Sequence, residues 1–156
     1  MIRIYFKDKP VDKWFPWFLG LAEYVSTASK DPSTKTGGVI VRPDKSIAAV
    51  GFNGFPRAIK DDPELLNNRE EKYKRVVHSE MNALLNAHGP VHGYTLYNWP
   101  GQSCARCAVH VIQAGITRVV SAYKPDSDFA KRWAAEAKLA EELYTEAGVD
   151  LVYIEV

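Results

Sequence analysis

Two short segments hold the residues whose types and spacing suit chemistry: His78-Ser79-Glu80 and Cys104-Ala105-Arg106-Cys107. One imidazole and two thiolates form the three-donor set of a catalytic zinc ion, which leaves its fourth position to water. Glu80, two residues beyond His78, reaches such a water without being a ligand, as a proton carrier must. Cys104 and Cys107 are the chain's 2 cysteines, and they lie too close in sequence to staple distant segments. Two other chemistries remain open for the pair. One is a thioredoxin-like redox dithiol. The other is a structural zinc in an interaction domain, which needs a fourth ligand from His88, His92 or His110. The three histidines have plainer readings: His88 as a dipole partner at a helix end, His92 as loop surface, and His110 as a helix-face residue.

Both segments have to stand at the heads of helices. Residues 78–88 carry Met81, Leu84 and Leu85 on one side and stop at Gly89-Pro90, while 104–114 turn Val111 and Ile112 to a core and stop at Gly115. In a first turn, unpaired backbone N–H groups and the helix dipole favour the thiolate that metal binding requires. Around these helices the pattern predicts a helix from Asp12 to Ser29, and a hairpin of 39–41 with 47–50 across Arg42-Pro43-Asp44-Lys45. Strands follow at 94–98, 118–122 and 151–155, with a last helix over 127–147 whose Phe129, Trp133, Ala140 and Tyr144 share a face. Residues 51–72, rich in Gly, Pro, Asn and charge, form a partly helical substrate-side loop, in which Asn68-Arg69-Glu70-Glu71-Lys72 is a solvated helical face. Trp14, Trp17, Trp99 and Trp133 are assigned to the core or to a subunit interface. The element order predicts a three-layer α/β/α domain over 13–156 with a mixed sheet of about five strands. Residues 1–12, where Ile2, Ile4 and Phe6 alternate with Arg3, Tyr5 and Lys7, form an arm or strand without an assigned role.

A chain of 156 residues with 46% hydrophobic and 25% charged residues is an ordinary globular domain that buries enough surface to need no disulfide. Its net charge of +1 disfavours a broad phosphate-neutralising surface and hence a polynucleotide partner. The longest near-apolar run, Trp14 to Ala22, is broken by Pro16 and Gly20 and falls short of the ~20 residues that span a bilayer. The first residues lack the apolar region and cleavage site of a signal peptide, so no membrane association and a cytoplasmic location are expected.

With those segments in place, the chain resembles the zinc-dependent cytidine and deoxycytidylate deaminase family. The likeness extends to Ser29-Lys30-Asp31-Pro32-Ser33-Thr34-Lys35, Gly51-Phe52-Asn53-Gly54-Phe55-Pro56-Arg57, Glu80-Met81-Asn82-Ala83 and Ile112-Gln113-Ala114-Gly115-Ile116, covering about residues 13–155. The resemblance implies a cytidine-deaminase-like fold and hydrolysis of dCMP to dUMP and ammonia, with deamination of cytidine or another cytosine nucleotide as the alternative. It implies that His78, Cys104 and Cys107 hold Zn2+, that zinc-activated water attacks C4 of cytosine, and that Glu80 moves protons. Asn53 is then expected on the sugar hydroxyl, and Lys30, Ser33 and Lys35 on the 5′-phosphate. Tyr123 is expected to close over the nucleotide. A homo-oligomer, dimer to hexamer, is implied as well. Two positions depart from the family pattern: Ser103 stands where a proline usually precedes the first cysteine, and Ser79 stands where alanine is usual, putting a hydroxyl beside the substrate.

Overall fold

The predicted strands are apolar at successive positions, so both faces of a sheet built from them must be covered. The computed structural model describes residues 1–8, 11–102 and 104–156, so the departure at Ser103 lies outside the described residues. In chain order the elements are β1 (Ile2–Tyr5), α1 (Trp14–Ser26), β2 (Gly37–Val41), β3 (Ile47–Phe52), α2 (Pro63–Asn67) and α3 (Arg69–Arg75). They continue with α4 (Ser79–Asn86), β4 (Thr95–Trp99), α5 (Ala105–Gln113), β5 (Arg118–Tyr123), α6 (Asp128–Glu146) and β6 (Asp150–Glu155).

The strands make one mixed sheet in the order β1-β6-β5-β4-β2-β3. β2 runs antiparallel to β3 and β4, while β4, β5, β6 and β1 are mutually parallel. Alternation then sorts the side chains. Val39, Val41, Tyr97, Val120, Val152 and Ile154 pack against Phe15, Phe18, Leu19 and Ala22 of α1. Their neighbours Ile40, Leu96, Val119 and Leu151 turn to the other face, against Ala83 of α4, Ala108 and Val111 of α5, and Ala140 and Tyr144 of α6. Each fully buried large apolar side chain contributes about 1.5–3 kcal/mol to holding the layers together. This is the expected α/β/α arrangement with six strands rather than about five. The addition is β1, which pairs along β6 from Ile2↔Leu151 to Tyr5↔Ile154 and covers backbone groups that an edge strand would expose.

Two glycines set the spacing between layers. A Cβ on Gly37 would lie 2.1 Å from the Ala22 carbonyl oxygen, and one on Gly51 would lie 2.3 Å from the Ala83 nitrogen. Gly51 thus lets the first turns of α4 rest directly on β3. The segment before α4 is partly helical, as expected, because Asp62 accepts from the Glu64 N–H and Asn68 from the Glu71 N–H. Its charged stretch is not wholly solvated, however. Lys72 is only 3% exposed, since its ammonium turns inward to the Asp31 carboxylate. No helix among the described residues is long and apolar enough to cross a membrane.

Candidate metal centre and active-site cleft

His78 is the N-cap residue of α4, Cys104 is the N-cap residue of α5, and Cys107 lies in the first turn of α5. Both helices bury their apolar sides in the same core, so their heads come together on one side of the sheet. The ligand atoms of His78, Cys104 and Cys107 all lie within 4.8 Å of one another, with Nδ1 of His78 3.3 Å from the Cys107 sulfur. Donors that share a zinc ion at about 2.0–2.3 Å are themselves about 3.5–4 Å apart, so this nitrogen-and-sulfur set fits zinc.

The three groups also share protons. Hydrogen bonding from Cys107, reinforced by His78, holds Cys104 well below the usual thiol range. Hydrogen bonding to Cys104 and then burial push Cys107 up. His78 is raised first by its hydrogen bond to Cys104, against burial and with help from the charge of Glu80. The two thiols are thus held in opposite directions, and a metal bound there would displace whatever proton they retain.

Glu80 follows in the first turn of α4, 3% exposed, and lines the cleft beside His78. Ser79 is buried as well, and its hydroxyl donates to Glu80 Oε2 at 3.3 Å. Tyr73, Phe129 and Trp133 form aromatic walls, with Trp133 edge-on to the His78 ring at 5.8 Å. Among the described residues, His88, His92 and His110 are not part of the donor cluster.

The rim is made by the loop of residues 31–36. Asp31 Oδ1 accepts from the Ser33 N–H at 2.8 Å, the Thr34 N–H at 3.2 Å and the Lys72 ammonium at 3.0 Å. Asn53 is 6% exposed, accepts from the Thr36 N–H at 2.8 Å and donates to the Thr34 carbonyl at 3.0 Å. It therefore lines the cleft and also shapes the loop. Ser33 lies at the rim, where its hydroxyl accepts from Arg69 and Arg132, each at 3.2 Å, while Arg132 also donates to the Thr34 hydroxyl at 2.7 Å. Among the described residues neither guanidinium has an ion-pair partner.

Not every expected residue reaches the cleft. Lys30 is exposed and paired with Asp61 at 2.7 Å, and Lys35 points to solvent; neither lines the cleft. Tyr123 lines a separate cavity, where it meets the Tyr153 ring at 5.6 Å. In place of Lys30 and Lys35 the cleft takes its cations from Lys72 and Arg132. Arg132 stands exposed beside Trp133 on α6, and only its three-residue spacing from Phe129 marks it as a neighbour of the cleft.

Comparison with known proteins agrees with this geometry. Residues 12–123 match the family model described as the cytidine and deoxycytidylate deaminase zinc-binding region. An uncharacterized deaminase in the luxG 3′ region of Aliivibrio fischeri is 35% identical over 148 residues, covering 92% of this chain and 95% of that one. Human deoxycytidylate deaminase is 34% identical over 147 residues, covering 88% of this chain and 77% of its own length. The dCMP deaminase of the cyanophage S-TIM5, in complex with dCMP and dUMP, shares the fold with a TM-score of 0.71 at 20% identity, over 93% of this chain and 99% of that one. With its metal-ligand set, its sheet and its relatives in agreement, the chain belongs to the cytidine and deoxycytidylate deaminase family.

Proposed function

We propose that the protein hydrolyses deoxycytidylate to deoxyuridylate and ammonia with zinc as its cofactor. The observation that carries this reading is a cleft lined by His78 of the His/Cys/Cys donor set, by the buried Glu80 carboxylate and by Arg132, which has no ion-pair partner among the described residues. The similarity to deoxycytidylate deaminases over most of the chain supports the same substrate.

In this reading His78, Cys104 and Cys107 hold the zinc ion, which supplies the Lewis acidity that makes water nucleophilic near neutral pH. Glu80 takes a proton from the water that attacks C4 of cytosine and delivers it to N3. It then passes the second proton to the amino group, which leaves C4 as ammonia while the oxygen stays as the uracil carbonyl. The Ser79 hydroxyl orients the Glu80 carboxylate, and the aromatic walls exclude bulk water from the ring. Asn53 Oδ1 keeps a lone pair beyond its bond to Thr36 and accepts from the sugar hydroxyl. Arg132, with Ser33, Thr34 and Arg69, binds the 5′-phosphate, which a planar fork of N–H donors recognises in bidentate fashion.

The test is catalytic efficiency on deoxycytidine, its mono- and triphosphate, and short single-stranded DNA. Removing the phosphate leaves buried or cationic donors unmatched at about 1–3 kcal/mol each, so two or three contacts favour the monophosphate by about 10²–10⁴-fold. Arg132→Ala should erase most of that preference, whereas Lys30→Ala and Lys35→Ala should leave it. Equal efficiency on nucleoside and monophosphate, within about threefold, would rule the substrate out while sparing the zinc chemistry. A homo-oligomer of dimer to hexamer size is proposed too, supported by Trp17 and Tyr24, which stand 56% and 75% exposed on α1. A soluble nucleotide substrate and two free thiols support a cytoplasmic location.

A further inference from the structure

The family model ends at residue 123, yet the helix beyond it, α6, faces the metal centre with one stripe. Phe129, Arg132, Trp133 and Glu136 follow the three-and-four spacing that puts side chains on a common helical face. The first three line the cleft. Glu136 does something different: its Oε2 accepts the backbone N–H of Ala105 at 3.1 Å. Ala105 opens α5, directly after Cys104 and two residues before Cys107. That N–H is among the donors a helix start leaves without an internal partner, and no side chain of α5's own N-cap residue caps it.

We propose that Glu136 is a positioning residue, which ties the head of α5 to α6 so that both cysteine sulfurs stay aimed at His78. The contact joins elements 31 positions apart, and one turn earlier on the same helix Trp133 presses on the His78 ring. α6 thereby holds both halves of the donor set at once, the imidazole by a ring edge and the cysteines through their helix. This rests on the reading that the three residues bind zinc, and it adds a residue that touches neither metal nor substrate.

The experiment follows zinc transfer from the loaded protein to a chromogenic chelator, with thermal unfolding recorded on each variant. Glu136→Ala should release zinc about 10–100-fold faster, the usual scale for losing a group that orients metal ligands, whereas Glu136→Gln, which keeps an oxygen acceptor, should stay within about threefold of wild type. Ala105→Pro removes the N–H at a helix position that accepts proline, and it should release zinc as fast as Glu136→Ala. Adding Glu136→Ala to Ala105→Pro should then change the rate by less than about twofold. The proposal fails if folded Glu136→Ala releases zinc at the wild-type rate, or if it still accelerates release when the Ala105 N–H is gone. If Glu136→Ala does not fold, the Gln and Pro variants decide: similar rates for the two would overturn it. Because zinc transfer is read without substrate, a protein that holds zinc but deaminates no cytosine nucleotide would refute the function and leave this assignment standing.

Discussion

At the scale of single residues, the proposed chemistry separates holding a metal from moving a proton, and substitutions can test the two apart. Glu80→Gln keeps the shape of the side chain but cannot take or give a proton, so zinc content should stay at about one per chain while turnover falls at least ~10²-fold. Cys107→Ala removes a donor and should lose both. Metal analysis beside an ammonia-release assay checks the pair, and a Glu80→Gln enzyme of near wild-type activity would show that another group carries the protons. The buried pair of Lys72 and Asp31 makes a different prediction, because its side chains are 4% and 7% exposed. Lys72→Met leaves a buried carboxylate without its cation and should cost about 3–5 kcal/mol in denaturant unfolding. The Lys72→Met, Asp31→Asn double variant should recover part of that loss, since the stranded charge is gone.

At the scale of elements, three parallel strands meet at one carboxylate. Asp150 opens β6 and accepts from Arg118 of β5 at 2.8 Å and from Arg3 of β1 at 2.5 Å. Burial pushes its pKa up, but the hydrogen bonds from Arg118 and then Arg3 outweigh it, and the net shift is downward. A carboxyl lowered in the folded state stabilises it above the unfolded value near 3.9, and that contribution disappears as pH falls through the lower folded value. Asp150→Asn should therefore lower the urea midpoint at pH 7, and the gap from wild type should close on acidification from about pH 5 to below pH 3. A gap that stayed constant across that range would mean the charge of Asp150 does not hold β1 and β5 to β6. The opposite edge is managed without charge: Asn82 and Asn86 of α4 donate to the carbonyls of Phe52 and Val50, blunting β3 against further strand pairing.

At the scale of the whole molecule, the outer side of α1 bears on the proposed assembly. Trp17 and Tyr24 are large exposed aromatics on one helix, a kind of residue enriched at protein interfaces. Light scattering at micromolar concentration should give a multiple of the 17.5 kDa chain, and Trp17→Glu with Tyr24→Glu should shift it toward the monomer. A fully active monomer would exclude an obligate oligomer. The same scale separates what local sequence conveys from what it does not. His78, Glu80, Cys104 and Cys107 were legible because their chemistry lies in spacings of two or three residues, and the helices and strands because periodicity, Gly stops and Pro breaks act within a few residues. Lys72 looked solvated because nothing near it in sequence reveals a carboxylate 41 positions away. Arg132 meets Ser33 across 99 positions, and Arg3 meets Asp150 across 147. Local spacing conveyed the His/Cys/Cys donor set, the carboxylate that stands beside it and the layered class of the fold. Which cations line the cleft, how many strands the sheet has and which helix reaches the head of α5 depend on tertiary structure, because a side chain's partner is set by the distant elements that the core brings beside it.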